Sequence, residues 1–371
     1  MKRLIERLQP LKTAVKSVFF ISIAVLVVVE LIRLKRTITL ESLESALSGL
    51  SIWHLALMVV IGLVAVLPML FYDLILNKEL ETDYSKSYIL ETSWAVNTIN
   101  NLSGFAGLVD VGLRYSFYSE DGHEKSGVKA LSRLLPYFMS GLSLLSGLVF
   151  ATFWFFPLSP DLRKYWLLLL GIFLYLPFIF FVSSREKLPY FGQVPLKTRL
   201  SLILVSTAEW GTALVSFLSV AYLMGLHVPL YNLIPLYFLA VIIGIFSMIP
   251  GGIGSFDLIV ISGLTSMGVS NALAVSLLLL FRLTYYIIPF LLGVVFFFKH
   301  MGGHINDKYF NIPSRVFGGS FHLILVYLLR FLGIFLILSA LIPESLANVY
   351  FISRFDPIQE QLIWQFPSIL F

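Results

Sequence analysis

The sequence predicts an all-α polytopic membrane protein, an inverted-repeat helical bundle with two re-entrant broken hairpins that enter from opposite faces. Three observations predict it. Of 371 residues, 58% are apolar and 13% charged, with a mean hydropathy of +0.89; a soluble domain of that make-up would lack the polar surface to cover itself. The apolar residues run continuously for about 20 positions at a time, the length a helix needs to cross hydrocarbon, whereas an outer-membrane barrel alternates over roughly 10. The pattern Gly-x-x-Gly-x-x-Asp also occurs twice, at Gly104, Gly107 and Asp110 and, 147 positions later, at Gly251, Gly254 and Asp257. Both copies interrupt apolar regions, where backbone groups must be satisfied internally and a carboxylate is costly. The same interruption in both halves indicates a duplicated fold with its working site at the breaks.

In chain order, apolar runs predict helices over 15–32, 52–76, 128–156, 165–183, 199–225, 269–298 and 319–342. Two further regions are broken, 88–118 at NNLSGFAGLVD and 229–267 at SMIPGGIGSFD. Neither half of the first is long enough to span the core at ~1.5 Å per residue, so both read as re-entrant helix pairs. The basic N-terminus (Lys2, Arg3, Arg7, Lys12, Lys16) leads into an apolar run that continues to Arg33 without a good cleavage site. It reads as a first helix with a cytoplasmic N-terminus and not as a removable signal.

Loop charge sets the orientation of the rest. Lys78 and Lys86 precede the first break, and Arg114, Lys125 and Lys129 follow it, so this hairpin enters from the cytoplasm. The next two segments cross out and back to Arg185, Lys187, Lys197 and Arg199. The run from 199 exits at GLHVPLYN, which has no Lys or Arg, so the second hairpin starts and ends outside. Segment 269–298 returns to Lys299, Lys308 and Arg315. Each break is also followed by Arg-Leu-x-x-Tyr, at Arg133–Tyr137 and Arg282–Tyr286. Arg33, Lys35 and Arg36, in the first external loop, run against the bias.

At the second break, Pro250 is expected to end the first half-helix, Gly251, Gly252 and Gly254 to let the backbone turn, and Ser255 to cap the returning helix. Asp257 there either serves a ligand or merely stabilises that helix end, whose N–H groups also attract anions. At the first break, Gly104 and Gly107 read as turning and close-packing devices. Asp110 and Arg114 are four apart, so they either form an i,i+4 pair or leave Arg114 to hold a phosphate bidentately. Arg282 lies mid-run, too deep to snorkel, and needs an acidic or phosphate partner; Asp257 is the first candidate. Glu209, among small residues in STAEWGTALVS, reads as a buried acid serving a coupling proton, a cationic headgroup or one structural hydrogen bond. Asp73 and Glu91 lie nearer the cytoplasmic face and read as interface residues.

Other chemistry is excluded or unsupported. There is no cysteine, hence no disulfide frame or thiolate site. The six histidines lack metal spacing; His300 and His304 are four apart but sit in a polar Gly-rich loop, so neither a metal nor a cofactor is expected. The net charge of +5 comes from clusters beside apolar runs, which describes topology and not a nucleic-acid partner. Nothing resembles a hydrolase elbow, a P-loop, a dinucleotide fingerprint or a metalloprotease helix.

At NTINNLSGFAGLVDVGLRYSFY and SMIPGGIGSFDLIVISGL the chain resembles the membrane flippase region of the bacterial lysylphosphatidylglycerol synthase/flippase family, the multiple peptide resistance factors. The resemblance covers most of residues 1–342. It implies a plasma-membrane lipid flippase that carries aminoacylated phosphatidylglycerol to the outer leaflet, where its charge repels cationic antimicrobial peptides. It also implies functional roles for the positions matching Asp73, Arg114, Glu209 and Asp257, which raises Asp73 above its reading from the residues alone. Arg114 and Arg282 are then expected to hold phosphate, and Asp73, Glu209 and Asp257, with Asp110 beside them, to meet the lysyl ammonium groups or balance the arginines. The implied partners are an anionic or aminoacylated phospholipid, a separate lysyl-lipid synthase and a second copy in a homo-oligomer. Residues 343–371 are expected to be a C-terminal extension, the start of a second membrane block that, like the family's transferase domain, lies beyond this sequence. The rival expectations are phosphatidylglycerol lysyltransferase, the synthase activity of the family, and an ion-coupled small-solute transporter.

Overall fold

In the computed structural model of the chain, the described residues are 49–103, 108–118, 135–183, 194–247, 250–252 and 254–309. They fall within one compact unit, residues 26–311. The predicted helices over 15–32 and 319–342, the start of the one over 128–156, Arg133, and the extension 343–371 lie outside them. The described residues are helical, without a strand, and the protein is an all-α membrane protein.

Helix α1 (Ile52–Val66) starts where Ser51 Oγ accepts the His54 N–H at 3.3 Å. Pro68, with no N–H, tightens the chain to a 3-10 turn at Leu67–Met69. Helix α2 (Leu70–Leu80) then continues, so Ile52–Leu80 forms a 29-residue apolar span. The first broken hairpin is α3 (Lys86–Ser103) and α4 (Leu108–Tyr118). Gly104 and Gly107 fall between them, outside the described residues. At 18 residues α3 is longer than the half-helix expected. It buries Thr92, Ser93, Asn97 and Thr98, so its inner face is polar.

A 3-10 turn at Leu135–Met139 opens α5 (Ser140–Thr152); the one-turn α6 (Pro160–Arg163), α7 (Trp166–Phe173) and α8 (Tyr175–Ser183) follow. The long α9 (Leu196–Leu223) carries Glu209. The second broken region comprises α10 (Leu230–Phe246), a 3-10 turn at Pro250–Gly252 and α11 (Ser255–Ser266). Two expectations are corrected here. Helix α10 ends at Phe246, so Pro250 opens the following 3-10 turn instead of terminating the helix. Ser255 is the first helical residue and not the cap: its Oγ donates to the Gly252 carbonyl at 3.2 Å, and Asp257 reaches back to the Gly254 N–H at 2.9 Å. The turn needs glycine, since Gly251, Gly252 and Gly254 have φ of 59°, 62° and 95°.

The run after Ser270 divides into α12 (Asn271–Phe281), a π-helical turn at Arg282–Ile287 and α13 (Ile288–Tyr309). Pro289 explains the wide turn: its ring has no N–H for the Tyr285 carbonyl and crowds it, so the preceding turn opens. Against this turn packs α1, so closely that a Cβ on Gly62 would run into the Thr284 carbonyl. Helix α3 lies along α13, where Trp94 Nε1 donates to the Pro289 carbonyl at 3.0 Å.

Among the described residues, four helical stretches are long and apolar enough to cross a membrane: Ile52–Leu80, Leu135–Thr152, Leu196–Leu223 and Asn271–His300. Their outer faces suit lipid, with Trp53 79% and Leu204 71% exposed. Buried polar side chains, among them Asp73, Ser93, Asn97, Asp110 and Arg114 near the first break and Arg282 at the second, turn inward instead.

Candidate functional site

Three helices converge at the first break. From α4, Arg114 projects into the core, fully buried. Its Nε and Nη2 donate to Asp73 Oδ1 and Oδ2 at 2.8 and 2.9 Å, a bidentate pair supplied by α2. Nη2 also reaches Asn97 Oδ1 on α3 at 3.1 Å, and Nη1 pairs with Asp110 one turn back on α4. Ser93 Oγ donates to Asp73 Oδ2 at 2.5 Å, and Asn97 Nδ2 to the Ser93 carbonyl at 2.8 Å. Ser93 and Asn97 are four apart and so share one face of α3.

Asp110 is only 1% exposed, and its Oδ2 has no hydrogen-bond partner among the described residues. The Phe138 ring lies 5.1 Å from the Arg114 guanidinium carbon, and Tyr72 packs on Phe138 with centroids 4.3 Å apart. Tyr72 and Asp73 are adjacent on α2 and face different partners. Asp73 meets Arg114, whereas the Tyr72 hydroxyl donates to Glu209 Oε2 on α9 at 2.6 Å. Glu209 lies within electrostatic reach of both Asp110 and Arg114.

Two carboxylates, Asp73 and Asp110, therefore bind one guanidinium, and a third, the half-buried Glu209, lies close by on the Tyr72 hydroxyl. Fully ionised, the cluster carries two surplus negative charges, an expensive arrangement away from water unless a cation compensates it. Of the two readings of Arg114, the ion pair is the one this conformation adopts, with Asp73 as a second acid. Asp73 is itself fully buried, which corrects its reading as an interface residue.

The second break holds a smaller arrangement. Arg282 Nε and Nη2 reach Asp257 Oδ1 at 3.0 and 2.7 Å, and Nη1 lies 3.4 Å from the Gly251 carbonyl. The Phe256 and Tyr286 ring centroids are 5.9 and 5.7 Å from the guanidinium carbon. The expected partner of Arg282 is thus Asp257. Tyr285 packs edge-on against Tyr286 at 4.9 Å and stacks on Phe281 at 5.3 Å, and Phe281 meets Phe217 of α9 at 5.3 Å. Aromatic rings thus line the inner path from the second break toward α9.

Six of the residues singled out from the sequence therefore form two groups: Asp73, Asp110, Arg114 and Glu209 at one break, Asp257 and Arg282 at the other. The sequence reading missed Tyr72, Ser93, Asn97, Phe138 and Phe256, and named Tyr286 only as the end of the second Arg-Leu-x-x-Tyr. The cluster of small polar residues along α3, Thr92, Ser93, Asn97 and Thr98 among them, was the available signal. The membrane-edge acid Glu91 instead binds Lys299 Nζ at 2.7 Å and His300 Nε2 at 2.5 Å, joining the start of α3 to α13.

Comparison with known proteins agrees with this architecture. The family described as Lysylphosphatidylglycerol synthase TM region matches residues 18–293. A phosphatidylglycerol lysyltransferase of Bacillus subtilis (strain 168) is 29% identical over 298 residues, covering 76% of this chain and 34% of that protein. One from Staphylococcus aureus (strain MRSA252) is 30% identical over 314 residues, 81% of this chain and 36% of that protein. The chain spans about a third of the length of these curated relatives. A match over most of the chain, on a helical fold broken at the two glycine–aspartate motifs, makes this protein a member of the lysylphosphatidylglycerol synthase transmembrane-region family.

Proposed function

We propose that this chain is a lipid flippase that moves aminoacylated phosphatidylglycerol, the lysyl form above all, from the inner to the outer leaflet of the bacterial plasma membrane. One observation carries the reading: two buried carboxylates, Asp73 and Asp110, share one guanidinium at a helix break, and a third, the half-buried Glu209, lies beside them. A site for an unmodified anionic phospholipid would be basic. An acidic surplus in a low-dielectric setting favours a cationic headgroup, and a lysyl ester carries two ammonium groups. The relatives' printed names, phosphatidylglycerol lysyltransferase, supply the lipid class.

In this mechanism, Asp110 Oδ2, unpaired among the described residues, and Glu209 take an ammonium group, while Asp73 holds Arg114 in place. Glu209 exchanges its Tyr72 hydroxyl for that cation. The two broken hairpins, entering from opposite faces with the N-terminus in the cytoplasm, expose the site alternately. A separate lysyl-lipid synthase supplies the substrate, the working unit is a homo-oligomer, and the exported charge repels cationic antimicrobial peptides.

The test is leaflet distribution. When the chain is co-expressed with a lysyl-lipid synthase in cells lacking other flippases, an amine-reactive, membrane-impermeant label should find more lysyl lipid outside. An unchanged outer-leaflet fraction defeats the proposal. The relatives' names favour one second reading, lysyl transfer itself; incorporation of labelled lysine from lysyl-tRNA into lipid by the purified chain would establish it.

A further inference from the structure

The two arginines are held in different ways. Arg114 is locked: its side chain is fully buried and bound by two carboxylates and an amide. Among the described residues, Arg282 contacts a single carboxylate oxygen, Asp257 Oδ1, and its Nη1 lies 3.4 Å from the Gly251 carbonyl. The other Asp257 oxygen accepts the Gly254 N–H at 2.9 Å. The backbone therefore presents this carboxylate whether or not the guanidinium is there.

Two aromatic rings, Phe256 and Tyr286, flank the guanidinium. Aromatic rings beside a bound cation are the means by which proteins hold an organic ammonium ion, and here a carboxylate adds the opposite charge. The pair is not sealed, since the Asp257 side chain keeps 16% of its surface exposed and that of Arg282 5%. Arg282 is also the first residue of the π-helical turn, a wide turn characteristic of functional sites and hinges.

We propose that Asp257, Phe256 and Tyr286 form an exchange site for an organic ammonium ion, with Arg282 as its resident stand-in. The arriving ammonium takes Asp257, and the released guanidinium pairs with the phosphate of the same lipid. Charge balances, because one internal ion pair becomes two intermolecular ones. A phospholipid without an amine has nothing to offer Asp257, so the swap selects aminoacylated lipid. The identity of the lipid rests on the flippase reading, whereas the cage is testable without it.

The experiment uses Arg282→Gln, which keeps much of the stem and removes the cation. The purified full chain is titrated with methylguanidinium, with sodium as control, and thermal unfolding is followed; lysyl-lipid flipping is measured in vesicles of phosphatidylglycerol and phosphatidylethanolamine. The expected result is a saturable, methylguanidinium-specific stabilisation of Arg282→Gln that wild type lacks and that Asp257→Asn in the same chain removes. Residual flipping by Arg282→Gln should fall further on adding methylguanidinium. Restoration of flipping by methylguanidinium would show that Arg282 is a fixed structural counter-ion and overturn the proposal, as would the absence of any specific binding.

Tyr286→Leu, which leaves the ion pair intact, guards against misfolding of the first variant. It should reduce the preference for lysyl over unmodified phosphatidylglycerol by about tenfold, the effect of losing ~1.4 kcal/mol of cation–π binding. An unchanged preference overturns the proposal. If wild type moves no lysyl lipid while Arg282→Gln binds methylguanidinium, the flippase reading falls and the cage stands.

Discussion

Asp110→Asn should separate stability from transport. Arg114 has two acids, and they are not equivalent: Asp73 binds it through two nitrogens and is itself held by Ser93, whereas the described contact of Asp110 is the single pair through Nη1. An ion pair at ~4 Å and an effective dielectric constant of ~20 is worth about 4 kcal/mol. Against that stand the desolvation of the Asp110 carboxylate, several kcal/mol for a buried ion, and repulsion from Asp73 on the same guanidinium. The terms nearly cancel, so Asp110→Asn is expected to change stability by no more than about 1–2 kcal/mol, in either direction. Asp73→Asn removes the bidentate partner and leaves a buried guanidinium poorly matched, a loss of about 3–5 kcal/mol. The assay is denaturant unfolding of the detergent-purified chain, paired with outer-leaflet labelling of lysyl lipid. Asp110→Asn should unfold near wild type yet lose most transport. Equal destabilisation by the two variants, or normal transport by a stable Asp110→Asn, would refute the assignment of Asp110 to the substrate.

Three further outcomes follow from the same geometry. Tyr72→Phe removes the 2.6 Å hydrogen bond to Glu209; a typical hydrogen bond contributes about 0.5–1.5 kcal/mol net, so denaturant unfolding should register a loss of that size, with transport reduced. Gly254→Ala forces a side chain onto a φ of 95° and should cost about 1–3 kcal/mol by the same measurement, whereas Gly211→Ala, with nothing within 4 Å of the added Cβ, should be nearly neutral. Glu91→Gln loosens a clasp whose lysine is 57% exposed, so its unfolding free energy should shift by less than about 1 kcal/mol and the shift should shrink further in high salt.

Much of the architecture was legible because it follows from solvent. Apolar runs such as 199–225 must become helices in a bilayer, and α9 at Leu196–Leu223 lies within a few residues of that expectation. Both breaks were visible because glycine and aspartate have few roles inside an apolar run. Arg282 and Asp257 could be paired from depth alone, since each is untenable there without an opposite charge. Helix ends were less legible. The end of α10 at Phe246 and the reach of Asp257 back to Gly254 depend on how the turn closes, and residue type alone does not set this. The π-turn was hidden too, although Pro289 marked the place where an ordinary turn would fail.

The buried acidic cluster belonged to neither class. Asp73 looked like a membrane-edge residue because hydropathy counts distance along one helix, and Asp73 lies one turn into α2 and within eight residues of a basic side chain and two acids. Its burial depends on α3 and α4 folding over it, and the decisive contacts join residues 41 and 137 positions apart, Arg114 with Asp73 and Tyr72 with Glu209. By itself, then, the sequence determined the solvent, the helices, the two breaks and the need of each buried charge for a partner, because these follow from the cost of polar groups in hydrocarbon. Only the tertiary structure decided which partner each charge obtained. It placed two carboxylates on one arginine and, among the described residues, a single carboxylate oxygen on the other, because packing between distant helices sets the distances on which electrostatics depends.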